Sequence, residues 1–217
     1  MTDDDWTAAR EAMRVGDHAT ALAIYRALAE QGNARAQDKL GALYERGKGV
    51  VKSYADAAKW YRRAAEQGLA DAQNNLGVMY EEGHGVPRNV VEAAKWYFMA
   101  AEQGDANGQH NLANRYESGQ GVAQNYADAV KWYRKAAEQV HPMAQANLGV
   151  MYEHGRGVRQ DFVQAQMWYI LSASFFRASD AKNRGLVIKN RDQLAARMTT
   201  EQVSEARRLA REWRPAR

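Results

Sequence analysis

The 217-residue sequence contains no cysteine, only three prolines and no long run of apolar residues. The lack of cysteine excludes disulfides, thiolate metal sites and a cysteine nucleophile, and it fits a reducing compartment. The mean hydropathy of -0.68 is too polar for a membrane span, so we expect no membrane insertion. The five histidines lack the spacing of common zinc motifs, and we therefore expect neither a metal nor a small-molecule cofactor.

The first residues, MTDDDWTAAREAM, carry three aspartates where a secretory signal has positive charge followed by an apolar stretch. We therefore expect the protein to stay in the cytoplasm. The net charge is +4, and the basic residues concentrate after Arg177. Because these charges are spread along helical segments with few aromatic residues between them, we expect a solvated surface and no nucleic-acid partner.

One phrase occurs four times at intervals of 36 residues: LGALYERGKGV from Leu40, LGVMYEEGHGV from Leu76, LANRYESGQGV from Leu112 and LGVMYEHGRGV from Leu148. A second phrase repeats with the same period: KWYRRAAEQG from Lys59, KWYFMAAEQG from Lys95, KWYRKAAEQV from Lys131 and the decayed MWYILSASFF from Met167. A fixed period of this length indicates supersecondary units that bury their apolar faces by stacking on one another.

The matched positions resemble the Sel1-like repeat family, a relative of the tetratricopeptide repeats whose units are pairs of antiparallel helices. The resemblance implies an all-α fold, a right-handed α/α superhelix of about twelve antiparallel helices. We expect a single domain over residues 1–217 because no linker-like segment interrupts the chain. Within it we predict an N-terminal helix pair over 1–32, four 36-residue repeats over 33–175 and capping helices over 176–217.

Local chemistry predicts the helix boundaries. The second helix of each pair should begin at a good N-cap residue, namely Ser53, Asn89, Asn125 or Asp161. Gly68 and Gly104 should end two of these helices, because glycine adopts the left-handed conformation at little cost. The third copy has Val140 there, followed by His141 as a cap and Pro142 at the first helical position, and we expect an altered turn.

On the first helix of each pair, Ala36, Leu40, Gly41 and Tyr44 predict a buried stripe. Helical geometry then places the residues equivalent to 35, 38, 39, 42, 45 and 46 on the opposite side, and the resemblance implies that this side lines a concave groove. We predict that a partner protein or peptide binds there, through Arg35, Lys39, Asp71, Asn75, Asn107, His110, Asn111, Asn114, Met143 and Asn147.

Two interpretations of the asparagines in this set stay open. Asn75, Asn111 and Asn147 recur at one position, where Lys39 stands in the first copy. Their amides have the donors and acceptor needed to bind an extended peptide backbone, or they remain solvated or pair with the neighbouring repeat. For the methionines, helical spacing predicts that Met79 and Met151 belong to the core and that Met143 is exposed.

We expect no catalytic site. Ser179 and Lys182 match an S-x-x-K motif, but its usual companion motifs are missing and the match lies in the decayed C-terminal region. The row Glu45, Glu81, Glu117 and Glu153 is interpreted as solvated or locally paired. The predicted function is a protein-interaction scaffold. The alternatives are an immunity-type inhibitor of a bacterial enzyme and, with less support, a β-lactam-binding or β-lactam-hydrolysing enzyme.

Overall fold

The computed structural model describes residues 3–215, which form twelve α-helices, one short 3-10 helix and no strand. This arrangement confirms the predicted all-α fold class. The helices are α1 (Asp3–Val15), α2 (His18–Glu30), α3 (Ala34–Arg46), α4 (Tyr54–Glu66), α5 (Ala70–Glu82), α6 (Val90–Glu102), α7 (Ala106–Ser118), α8 (Tyr126–Glu138), α9 (Pro142–His154), α10 (Phe162–Phe175), α11 (Ala181–Ala195) and α12 (Thr200–Glu212), with the 3-10 helix at Ala178–Asp180.

The chain forms two compact units, one ending at Gln103 and the other beginning at Gly104. In the first unit, each of the helices α1 to α6 packs on the next helix along the chain. In the second unit, α7 to α10 pack in the same consecutive manner, and both α11 and α12 pack on α10. Each unit is thus a stack of helix pairs, and the single domain over 1–217 stays a prediction.

The predicted helix starts are confirmed. The side chains of Ser53, Asn89, Asn125 and Asp161 each accept a hydrogen bond from the backbone N–H three residues later. A side-chain oxygen in this place satisfies one of the N–H groups that the first helical turn leaves without a partner. Because the interaction is local, each repeat fixes the start of its own second helix.

The turn at Val140 is slightly altered, as expected. Gly68 has a φ of +87°, and its N–H donates to the carbonyl of Ala65 at 3.0 Å. Val140 has a φ of +66°, and its N–H donates to the carbonyl of Ala137 at the same distance. The third copy therefore keeps the hydrogen bond of the turn at a smaller positive φ, and a β-branched residue takes a left-handed conformation that normally costs about 1–2 kcal/mol. His141 and Pro142 occupy the predicted cap and first helical positions.

The core of each repeat is a tyrosine ring lying on a helix backbone. A Cβ atom built on Gly41 would lie 2.8 Å from the ring of Tyr61, and Gly77 and Gly149 meet their tyrosines as closely. In these three repeats glycine leaves room for the ring, whereas the third repeat has Ala113 at the equivalent position. Leu40 is fully buried as predicted, whereas Tyr44 is half-buried and its hydroxyl accepts a hydrogen bond from Arg26.

The C-terminal helices cover the last repeat as predicted. Val187 and Leu194 of α11 join a buried cluster with Tyr169 and Ala173 of α10. Thr199 and Gln202 form the expected capping box at the start of α12. Phe175 is the exception, because it stays 41% exposed although its ring lies 6.1 Å from that of Trp213.

Candidate partner-binding surface

The predicted partner-binding residues lie on α3 and α5 of the first unit and on α7 and α9 of the second. In each unit separately, we call the side formed by the positions equivalent to 35, 39 and 42 the first-helix face. Arg35, Lys39 and Asp71 are exposed in the first unit, and Asn107 is exposed in the second. The remaining predicted residues are half-buried: Asn75, His110, Asn111, Asn114, Met143 and Asn147.

The positions equivalent to 38 were wrongly placed on the open side. Asp38 is 3% exposed, and Asn74 and Ala146 are also buried. Helix α3 packs against both α2 and α4, so two of its faces are covered. Its solvent-exposed strip is therefore narrower than that of a helix that packs on one side only. His110 belongs to this position and is correspondingly half-buried. Met143 is half-buried rather than exposed, while Met79 and Met151 lie in the core as predicted.

In the first unit, two side chains of the first-helix face form a small polar cluster with the buried Asp38. The amide nitrogen of Asn75 donates to Asp38 Oδ1 at 2.9 Å, and Lys39 Nζ donates to Asp38 Oδ2 at 3.0 Å. The carboxylate therefore keeps a partner for each oxygen although it is buried. Asn75 is fixed in position by the preceding repeat.

The second unit contains a corresponding cluster around Asn147. Its amide nitrogen donates to Asn114 Oδ1 at 3.2 Å and lies 3.4 Å from His110 Nε2. The Tyr133 hydroxyl oxygen lies 2.5 Å from Asn114 Oδ1. His110 stacks on His141 with ring centroids 4.6 Å apart. Asn75 and Asn147, at the same repeat position, thus make the same kind of contact to the repeat before them.

The two stacked histidines have altered acidity. Burial, with a smaller contribution from the neighbouring His141, lowers the pKa of His110 to about 4. Burial also lowers the pKa of His141, whose Nδ1 accepts the backbone N–H of Ala144 at 3.1 Å. An imidazole can accept this bond only when Nδ1 carries no proton. Both rings are therefore neutral at pH 7 and act as hydrogen-bonding groups.

The glutamate row is locally paired, as interpreted from the sequence. In every repeat a buried tyrosine hydroxyl donates to the glutamate sixteen residues earlier: Tyr61 to Glu45 at 2.7 Å, Tyr97 to Glu81 at 2.7 Å, Tyr133 to Glu117 at 2.6 Å and Tyr169 to Glu153 at 2.9 Å. Burial and the adjacent carboxylate raise the pKa of Tyr61, Tyr133 and Tyr169 above the usual range. The row therefore has a structural role.

A row of glutamine contacts was not predicted from the sequence. Gln37 is buried, donates to the carbonyl of Ala29 at 3.1 Å and accepts from Gln67 at 2.7 Å. Gln73 makes the same pair of bonds with Ala65 and Gln103. The sequence did contain a signal, since glutamine recurs at positions 37, 73, 109 and 145. Within each unit, these amides join one helix pair to the next.

The S-x-x-K match lies at the start of the C-terminal helices. Its Ser179 and Lys182 are both exposed. Within residues 3–215, no group of three or more metal-ligating side chains comes together. Nor does this segment contain a helix with the length and apolar character needed to cross a bilayer.

The family model described as Sel1 repeat matches residues 34–69, 70–105, 106–141 and 142–174. A Sel1 repeat protein from Oxalobacter formigenes is 40% identical, with a TM-score of 0.70, over 76% of this chain and 68% of that one. The protective antigen c5321 of uropathogenic Escherichia coli, which displays an SLR fold, is 31% identical, with a TM-score of 0.54, over 89% of this chain and 48% of that one.

A more distant likeness concerns the fold alone. The immunity protein Pa5087 from Pseudomonas aeruginosa has a TM-score of 0.57 and 20% identity, over 89% of this chain and 83% of that one. The comparison with curated proteins returned no match.

Proposed function

Because the chain belongs to the Sel1 repeat family, we propose that it is a protein-interaction module whose first-helix face binds a peptide segment of a partner protein. The observation that carries this proposal is the fixed orientation of Asn75 and Asn147. Each donates through its amide nitrogen to the preceding repeat, at 2.9 Å and 3.2 Å. The Oδ1 atom of each is left to accept a backbone N–H of an extended ligand.

Apolar side chains on the same face add contact area. Ala42 and Val78 in the first unit, and Val150 in the second, are half-buried at the position three residues after the lysine or asparagine. An extended peptide with alternating side chains would cover them, and the area removed from water would supply most of the affinity. The held asparagines would then set the register of the bound segment.

The proposed compartment is the cytoplasm. Disulfides are rare there, so a chain without cysteine gives up no stabilising cross-link that its compartment would allow. The described helices do not include a candidate membrane span, and we propose a protein partner rather than a lipid or nucleic-acid one.

The test is affinity capture from native lysate with the wild-type protein and with the triple variant Asn75→Ala, Asn111→Ala, Asn147→Ala. A matched control replaces Asn183, Asn190 and Gln193, which are exposed on α11, with alanine. We expect the wild type and the control to retain the same partner and the triple variant to lose it. Equal recovery with all three proteins would refute a role for the asparagines.

The identity of the captured partner separates the alternatives. If that partner is an enzyme whose activity falls on binding, the protein is an immunity-type inhibitor. Turnover of a β-lactam that Ser179→Ala abolishes would instead establish the enzyme alternative.

A further inference from the structure

A basic cavity lies between α1, α2 and α3 of the first unit. It encloses about 440 Å³ and opens to solvent. Five of its lining residues are cations and none is acidic: Arg10, Arg14, Lys39, Arg46 and Lys48. The rest of the lining is mainly apolar, with Met13 and Ala42 half-buried above the buried Tyr25 and Leu43. The cavity therefore combines a positive rim with an apolar floor.

The positive charge of this rim is only partly neutralised by neighbouring carboxylates. Arg14 pairs with Glu11 at 2.6 Å, and Lys39 pairs with Asp38 at 3.0 Å. Among the residues that the structure describes, Arg10, Arg46 and Lys48 form no ion pair. Three cations thus face one concave site with no counter-charge.

The same site lacks a carboxylate that every repeat supplies. In the four repeats, the buried tyrosine donates to a glutamate that is the second-last residue of the first helix. Tyr25 occupies the tyrosine position in the N-terminal pair, but the second-last residue of α1 is Arg14. Counting back sixteen residues instead reaches Ala9. Tyr25 therefore lines the cavity without the glutamate that accepts from the tyrosine of every repeat.

We propose that this cavity binds an acidic peptide segment of a partner protein, with one carboxylate accepting from Tyr25 and pairing with the surrounding cations. An apolar side chain next to that carboxylate would lie on Met13, Ala42 and Leu43. Charge complementarity selects an acidic partner, and the apolar floor distinguishes a peptide from a simple anion. The inference rests on the proposed function, because Lys39 belongs to both the cavity and the first-helix face.

The test uses a fluorescein-labelled ten-residue peptide, with blocks of Asp and Glu on both sides of one Leu, in an anisotropy titration. Replacing its acids with Asn and Gln should weaken binding at least about tenfold, as expected for loss of charged contacts. The protein variant Arg46→Glu, Lys48→Glu should have a similar effect. The milder variant Tyr25→Phe should weaken binding by about three- to tenfold, because it removes one hydrogen bond to a charged group.

The matched control is Arg207→Glu, Arg211→Glu, which makes the same change in net charge on exposed positions of α12. It should bind the acidic peptide like the wild type. Equal loss in both charge-reversal variants, or equal binding of the acidic and neutral peptides, would overturn the proposal. Complete competition by inorganic phosphate, or equally tight binding of single-stranded DNA, would do the same by showing that the cavity recognises any anion.

The two proposals fail separately. If the peptide does not bind but the asparagine triple variant still loses its captured partner, only the acidic-segment inference falls. If the peptide binds as described while lysate capture is unaffected by the asparagine changes, the assignment of the asparagines falls and the cavity remains the binding site.

Discussion

Replacement of His110 with asparagine should remove part of the acid sensitivity of this protein. His110 is half-buried between His141, Asn147 and Tyr133, and burial lowers its pKa from 6.5 to about 4. Between these two values the unfolded chain carries a proton on this ring that the folded chain does not. Lowering the pH therefore favours unfolding, so the stability is fully present above about pH 6.5 and is lost as the pH falls toward 4.

The size of the effect follows from the size of the pKa difference. Each unit of pKa difference corresponds to about 1.4 kcal/mol, so a shift from 6.5 to about 4 has an upper limit of about 3 kcal/mol. Since the ring keeps some solvent contact, we expect about 2 kcal/mol. His141 also has a lowered pKa, so its protonation would likewise lower the free energy of unfolding as the pH falls.

Asparagine is the appropriate replacement because Asn74 occupies the equivalent position in the second repeat. The measurement is urea unfolding of wild type and His110→Asn, followed by circular dichroism from about pH 7 down to about pH 4. Subtracting the two profiles removes the contribution of carboxylates, which both proteins share. We expect wild type to lose about 2 kcal/mol more than the variant over this interval. Parallel profiles would show that His110 does not titrate as a buried group, and the reasoning would be refuted.

Two further predictions concern the tyrosine in each repeat. Gly149→Ala should destabilise the protein by about 1 kcal/mol. The added Cβ atom would lie 2.7 Å from the ring of Tyr169, and this overpacking should cost more than the roughly 1 kcal/mol that alanine gains in helix propensity. A rise in the midpoint temperature of thermal unfolding would contradict this prediction. Tyr61→Phe should lower the free energy of unfolding by about 1–2 kcal/mol, because Glu45 loses its hydrogen-bond donor. Tyr25 has no such glutamate, so Tyr25→Phe should leave the midpoint of urea unfolding nearly unchanged. An equal loss of stability in both variants would be evidence against a Tyr25 without an acceptor.

Features that depend on a few neighbouring residues could be predicted from the sequence. The caps at Ser53 and Asn89 act through hydrogen bonds over three residues, so the helix starts were confirmed without any knowledge of packing. The same holds for the capping box of Thr199 and Gln202. The repeated period also predicted correctly that a tyrosine-bearing second helix lies on each first helix.

Predictions about burial were less accurate because burial depends on two neighbouring helices at once. Asp38 was placed on an open face, yet α2 and α4 cover α3 from both sides. The glutamine contacts of Gln37 join residues 30 apart, and a repeated letter does not reveal which atom it binds.

The amino-acid sequence by itself determined the family and the helix boundaries, because these depend on period and on local hydrogen bonds. Only the tertiary structure decided which polar residues on the first-helix face are already paired and where unneutralised charge gathers. The basic cavity illustrates the reason. The turn between α1 and α2 is shorter than in the repeats, so the 36-residue register no longer indicates which residue faces Tyr25. Folding places Arg14 at the position where each repeat has a glutamate, and only the assembled helices bring it together with Arg46 and Lys48.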